Sequence, residues 1–228
     1  LTVTSPQNKR LPGSVGKPLP GIELKIIEPD ESGIGEVIAR GPNVMAGYFE
    51  DRDGTLAVLK EGWLHTGDLG RIDPEGRLFL AGRKKDVIID ANGKNVFPDE
   101  LEDVYGVHPH IKELSVVGLP DDGGGERVAC LCVPDYKEVA KEEVRALLEE
   151  HFREISAGMP FYRRIKVLRL WDGELPRTST RKVKRKQVVD ELKKLERLAH
   201  QGEKAKERAK ETLTGGVTDW LYPLIADV

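Results

Sequence analysis

The sequence lacks most of the features that assign a chain to a special class. Its 228 residues include two cysteines, two methionines and only 6% aromatics. No apolar run approaches the roughly 20 residues a membrane-crossing helix needs. The cysteines, Cys130 and Cys132, stand two apart in one apolar run, so on a strand they face the same side and are poorly placed to bridge each other. With no histidine or further cysteine beside them they are also a poor metal site. Core-packing thiols in a reducing, cytoplasmic setting are the expectation. Charges of the two signs nearly cancel, giving a net −3. No global field therefore draws the chain to nucleic acid. The opening Leu1-Thr2-Val3-Thr4-Ser5-Pro6 has neither the charged nor the apolar region of a signal peptide. Without an initiator methionine it reads as a cut from something longer.

What is present is enough apolar residue for a core, 39%, and an extensive charged surface, 33%. The most informative stretch runs from 63 to 102. Trp63-Leu64-His65 leads to a small-residue turn ending in a carboxylate, Thr66-Gly67-Asp68. A polar hairpin turning at Asp73-Pro74-Glu75-Gly76 returns through Leu78-Phe79-Leu80 to Gly82-Arg83. Asp68 and Arg83 then leave the same ends of two paired strands. An acceptor beside a fork of donors suits a vicinal diol such as a ribose. A surface salt bridge flanking a hairpin accounts for the same spacing equally well.

Other segments show their periodicity. Residues 22–28 alternate as a half-buried strand, and 35–41 read as a second strand between glycines. Val87-Ile88-Ile89 is a short apolar strand before the turn dipeptide Asn92-Gly93. Pro98 suits a first helical position, with Asp99 and Glu100 in the first turn and Leu101, Val104 and Tyr105 on the apolar face. Leu114–Leu119 and Val128–Val133 read as buried strands and Ile165–Leu170 as a third. Val144, Leu147, Leu148, Phe152 and Ile155 keep helical spacing, and His151 within that helix reads as a surface or packing histidine. The glycine run 123–125 is followed by no lysine–hydroxyl pair and no helix start, so a mobile surface turn is favoured over a phosphate cradle. Gly47-Tyr48-Phe49 reads as an aromatic packed under a loop. Val188, Leu192, Leu195 and Ala199 stripe a charged helical stretch over 186–212, and a fresh apolar pattern follows Gly215-Gly216.

Three motifs in order, Thr66-Gly67-Asp68, Gly82-Arg83-x-Lys85 and Gly93-x4-Pro98-x-Glu100-x-Glu102, resemble those of the adenylate-forming superfamily: acyl-CoA synthetases, peptide-synthetase adenylation domains and luciferases. The likeness is to its C-terminal portion, most of all in medium- and long-chain fatty acid–CoA ligases. It implies an α+β chain: residues 1–84 forming a small antiparallel β-barrel-like subdomain, 85–198 a mobile α+β lid with a three-stranded sheet and helices, and 199–228 a charged helical tail that opens an appended domain. It implies ATP, magnesium and coenzyme A, an acid–thiol ligase activity, and a fragment inactive by itself. Thr2, Asp68 and Arg83 would bind nucleotide, Lys85 would be the hinge, the Gly93 loop would serve thiol transfer, and Lys182 would be catalytic.

Two positions depart from the pattern. Val3 stands where the family carries its magnesium-binding glutamate, so no metal ligand is expected there. Arg181 replaces the glycine before the lysine. A long side chain is strained at positive φ, so the loop is expected to bend differently. The alternatives that remain open are a ligase loading an acyl carrier protein, suggested by the tail, and a silent adenylate-binding module, suggested by Val3 and Arg181.

Overall fold

The structure, a computed structural model, describes residues 1–4, 11–137 and 139–215. Short strands separated by glycine turns come first: β1 (Thr2–Val3), β2 (Ser14–Pro18), β3 (Glu23–Ile27) and β4 (Gly35–Arg40). A helix α1 (Arg52–Val58) and strands β5 (Leu59–Lys60), β6 (Trp63–Ile72) and β7 (Leu78–Arg83) follow. All pair antiparallel in one seven-stranded sheet, in the order β1-β2-β7-β6-β4-β3, with β5 added alongside β6. Short connections join β3 to β4 and β6 to β7, as antiparallel neighbours permit, while β4 reaches β6 through α1 and β5. Its packed interior includes Val37, Ile38, Ala39 and Leu78, all nearly inaccessible.

After a 3₁₀ turn at Lys84–Asp86 the pattern changes. The hairpin β8 (Ile88–Ile89) and β9 (Asn95–Val96) precedes α2 (Pro98–Tyr105). Then come β10 (Ile111–Pro120), β11 (Glu126–Pro134), α3 (Lys141–Ala157), β12 (Val167–Leu170) and α4 (Arg185–Gly215). β11 lies in the middle, antiparallel to β10 and parallel to β12, with α3 as the crossover that a parallel pair requires. Helices cover both faces of this sheet. Val116, Cys130 and Cys132 pack with Leu101, Tyr105, Leu148 and Phe152 on one side. Val117, Leu119, Ala129 and Leu131 pack with Val188 and Leu192 of α4 on the other. That double burial explains why Val128–Val133 is an unbroken apolar run rather than an alternating one. Both cysteines are free and buried, as expected.

Several expectations are corrected. Tyr48 and Phe49 are not packed under their loop: Phe49 is 90% exposed. Asp51 caps α1, a helix absent from the sequence reading, by accepting from Gly54 N at 2.8 Å, and Thr55 Oγ1 accepts from Tyr48 N. These polar bonds order the segment without burying an aromatic. Val104 is exposed, because Leu101 and Tyr105, four apart, already fill the face that α2 turns inward. Ala199 is exposed, since α4 has run past the sheet edge by then and its stripe ends near Leu195. The glycine run is a surface turn between β10 and β11, as expected; it is closed by hydrogen bonds of Asp121 with Gly124 and Gly125, and a Cβ on Gly125 would stand 2.7 Å from the Asp90 and Ala91 backbone. It is thus the close seat for the β8–β9 hairpin. The apolar pattern around Trp220 lies outside the described residues.

Truncating a buried α4 anchor tests the sandwich. Leu192→Ala should cost about 2–5 kcal/mol in denaturant unfolding, whereas Leu198→Ala, on the exposed side of the same helix, should stay within about 0.5 kcal/mol. Equal losses would show that α4 does not close the second core.

Candidate functional site

Thr66-Gly67-Asp68 is not a turn at a strand end. It lies within β6, where these three residues stand against Val37 alone of β4. The excess is absorbed as a bulge, with Gly67 at φ 69°, a conformation that glycine alone adopts without penalty. Thr66 Oγ1 donates to Val37 O at 2.6 Å and accepts from Asp68 N at 3.1 Å, pinning the bulge from both sides. Asp68 therefore projects from mid-strand, not from a strand end, directly opposite Arg83 at the end of β7. The two carry an ion pair, Arg83 Nε to Asp68 Oδ1, at 2.9 Å.

Beneath the bulge lies a carboxylate that the sequence reading treated only as part of a strand. Glu36 is 7% exposed and accepts from Gly67 N at 3.3 Å and from Lys84 Nζ at 3.0 Å, with His65 Nδ1 at 3.5 Å. Burial alone would push its carboxyl up, but the Lys84 ammonium and His65 more than offset this and hold it below the usual glutamate range. Lys84 is raised in turn by Glu36. The only sequence signal was an acid at the head of an otherwise apolar strand.

An open cleft of about 1020 Å³ lies where β7, the 3₁₀ turn and the loop before α4 meet. Arg83, Lys85 and Lys182, three of the residues singled out from sequence, line it together with Arg181, Lys184 and Lys186. Thr2, Val3, Asp68 and Gly93 do not line it. Asp68 reaches it only through Arg83. Thr2 and Val3 sit on the edge strand β1. Gly93 sits at the tip of the β8–β9 hairpin, with φ 74° and open space around it. There Asp90 accepts from Asn92 N and Lys94 N, and these amides hold its carboxyl below the usual range.

Arg185 forms the cleft's deeper wall. It pairs with Asp86 of the 3₁₀ turn at 3.2 Å and with Asp99 and Glu102 of α2. Burial pushes the Glu102 carboxyl up despite Arg185 and the Val116 amide it accepts. Arg177 is likewise paired with Glu113. These two arginines are neutralised; among the described residues no carboxylate lies within ion-pair distance of Lys85, Arg181, Lys182, Lys184 or Lys186. The cleft is thus strongly cationic and suits a polyanion such as a phosphate chain.

Lys182 and Arg181 sit on a short hairpin closed by Thr178 N to Lys182 O at 2.8 Å and Arg181 N to Thr178 O at 2.9 Å. Arg181 has φ 62°. The backbone accepts the left-handed conformation with an arginine in place, so the expected escape into a different bend does not occur. Val3 offers no side-chain oxygen, and among the described residues no cluster of three or more His, Cys, Asp or Glu is set to hold a metal.

Comparison with known proteins places this geometry. Residues 1–49 match the AMP-binding enzyme family and residues 100–182 the AMP-binding enzyme C-terminal domain. The 2-succinylbenzoate–CoA ligase of Bacillus pumilus is 40% identical over 76% of this chain and 34% of its own length. The long-chain-fatty-acid–CoA ligase of Escherichia coli O157:H7 is 36% identical over 79% and 32%. Among solved structures, o-succinylbenzoate coenzyme A synthetase from Bacillus subtilis in complex with ATP and magnesium superimposes with a TM-score of 0.63, at 35% identity, over 77% of this chain and 35% of that one. The chain spans about a third of the length of the curated relatives it matches.

The Glu36–Lys84 pair makes a pH prediction. A carboxyl held low in the folded state stabilises above the ordinary glutamate pKa, about 4.3, and that contribution is lost as pH falls through the lower folded value. The stability gap between wild type and Glu36→Gln should therefore be widest near neutrality and close as pH is lowered. A gap independent of pH in urea titrations would show that ionised Glu36 does not hold the bulge.

Proposed function

Because this chain belongs to the AMP-binding enzyme family of adenylate-forming ligases, we propose that it is the part of an acid–thiol ligase that grips the nucleotide and carries the mobile lysine. The observation supporting this is the shared cleft: Arg83, Lys85 and Lys182 come together from sequence positions a hundred residues apart. In this reading residues 1–84 belong to the adenylation body, 85–198 are the lid, and 199–228 are a linker that opens an appended domain.

In the first half-reaction a substrate carboxylate oxygen attacks the α-phosphorus of ATP and pyrophosphate leaves. In the second a thiolate attacks the acyl carbonyl and AMP leaves. Asp68 accepts from the ribose hydroxyls and Arg83, already oriented by Asp68, donates to them. That anchorage holds the reacting atoms in line. Lys182 meets the negative charge that develops between carboxylate and α-phosphate. The 3₁₀ turn holding Lys85 is the pivot. Lys84 on its upstream side is tied to Glu36 and Asp86 on its downstream side to Arg185, so backbone change is confined to the residue between. Turning there withdraws Lys182 and brings the Gly93 tip to the acceptor. Thr2 contributes from the edge strand once the nucleotide spans it. Coenzyme A is the acceptor we propose; both relatives named above are CoA ligases. Their acids differ, one a fatty acid and one succinylbenzoate, so a fatty acid is one candidate within the carboxylic acid class. With only a third of the relatives' length, the chain is not expected to turn over alone.

The test joins this chain to the upstream two-thirds of a relative such as the 2-succinylbenzoate–CoA ligase. In that fusion Lys182→Ala should slow ATP–pyrophosphate exchange by at least about a hundredfold and leave thioester formation from supplied acyl-adenylate within a few-fold. Asp68→Ala should weaken acyl-adenylate binding. Equal loss of both half-reactions in Lys182→Ala would refute the alternating lid.

A further inference from the structure

The structure carries an unexplained strain beside the lysine just discussed. Arg181 is a long side chain at φ 62°, a conformation costing non-glycine residues on the order of 1 kcal/mol. Such strain persists where surrounding bonds over-determine it, and here they do. The Arg181 amide donates to Thr178 O, and its carbonyl accepts from Arg177 Nη1 at 2.6 Å. Arg177 is in turn fixed by Glu113. The loop is therefore built to hold Arg181 in place, with its side chain on the cleft wall beside Lys182. Among the described residues no carboxylate pairs with it. The backbone is fixed while the side chain is exposed, so the guanidinium, among other cations and without an acidic partner, is open to an anionic ligand.

We propose that Arg181 is a polyphosphate-binding residue that supplies, from the hairpin beside Lys182, a guanidinium to neutralise phosphate charge. Among the described residues no cluster of three or more His, Cys, Asp or Glu is set to hold a metal beside it. A guanidinium offers two parallel donors to phosphate oxygens and needs no metal to do so. Arg181 would then bind the phosphate chain of the nucleotide while Lys182 serves the reacting centre, which makes nucleotide binding by this chain unusually tolerant of magnesium removal. The inference rests on the nucleotide reading above, but its direct probe does not.

Isothermal titration of this chain with inorganic tripolyphosphate, in EDTA, tests it. Arg181→Asn is the informative variant, because asparagine tolerates the left-handed conformation, so the backbone is kept while the guanidinium is lost. Arg181→Asn should bind tripolyphosphate about tenfold more weakly than wild type, a loss of about 1.4 kcal/mol. The exposed control Arg153→Asn, on α3, should bind as wild type does. Adding magnesium should change wild-type affinity for ATP by less than about threefold and partly rescue Arg181→Asn. Absence of tripolyphosphate binding in wild type, equal binding by wild type and Arg181→Asn, or an equal loss in Arg153→Asn would overturn the proposal. AMP titrated in parallel separates the two readings: AMP binding that survives Arg181→Asn and fails in Asp68→Ala keeps the ribose grip whatever tripolyphosphate does.

Discussion

One buried carboxylate holds together the parts of the sheet that matter most. Glu36 sits under the β6 bulge and meets the Gly67 amide with one oxygen and the Lys84 ammonium with the other. The bulge sets where Asp68 projects, Asp68 orients Arg83, and Lys84 begins the 3₁₀ turn that leads out of the sheet. A charge so little exposed is tolerated because both oxygens are satisfied and a cation stands against it. Removing one partner leaves the other stranded, so bulge, strand end and turn behave as one unit.

A second ionic cluster does the corresponding work beyond the turn. Arg185 gathers Asp86, Asp99 and Glu102, which come from the turn and from α2. Its Nε is buried without a partner, so the cluster is not ideally satisfied. The arginine nonetheless lies three residues beyond Lys182, and the cluster ties the lysine's hairpin to the turn. Lys85, between Lys84 and Asp86, is left between two anchored neighbours. For the pivot proposed above, that puts anchored side chains on both sides of the residue at which the backbone would turn.

The two departures from the family pattern point the same way when considered together. Val3 takes an oxygen donor away from the edge strand, and Arg181 adds a cation to the hairpin. The silent-module reading treats both as damage. The strained yet well-braced backbone at Arg181 weighs against decay, because a loop free to relax would abandon a left-handed arginine. No structural feature among the described residues favours a carrier-protein acceptor, and the segment that suggested one, around Trp220, lies outside them.

Much of this protein was legible from sequence because its signals are local. Glycine turns, period-2 strands, the proline-started helix α2 and the helical spacing in α3 and α4 each depend on neighbours within a few residues, and the motif triplet named the family. The facing of Asp68 and Arg83 followed from a hairpin. What only the tertiary structure decided was long-range or a matter of degree. Glu36 joins Gly67 and Lys84 across 31 and 48 residues, and Arg185 joins Asp86 across 99. No periodicity encodes such pairs, since they depend on how sheets and helices stack. The Thr66-Gly67-Asp68 bulge looked like a turn because a glycine between small polar residues has the same composition in either setting; strand pairing on both sides selects the bulge. The backbone at Arg181 was equally hidden, because propensity alone argues against φ 62° and only the bonds from Arg177 and Thr178 override it.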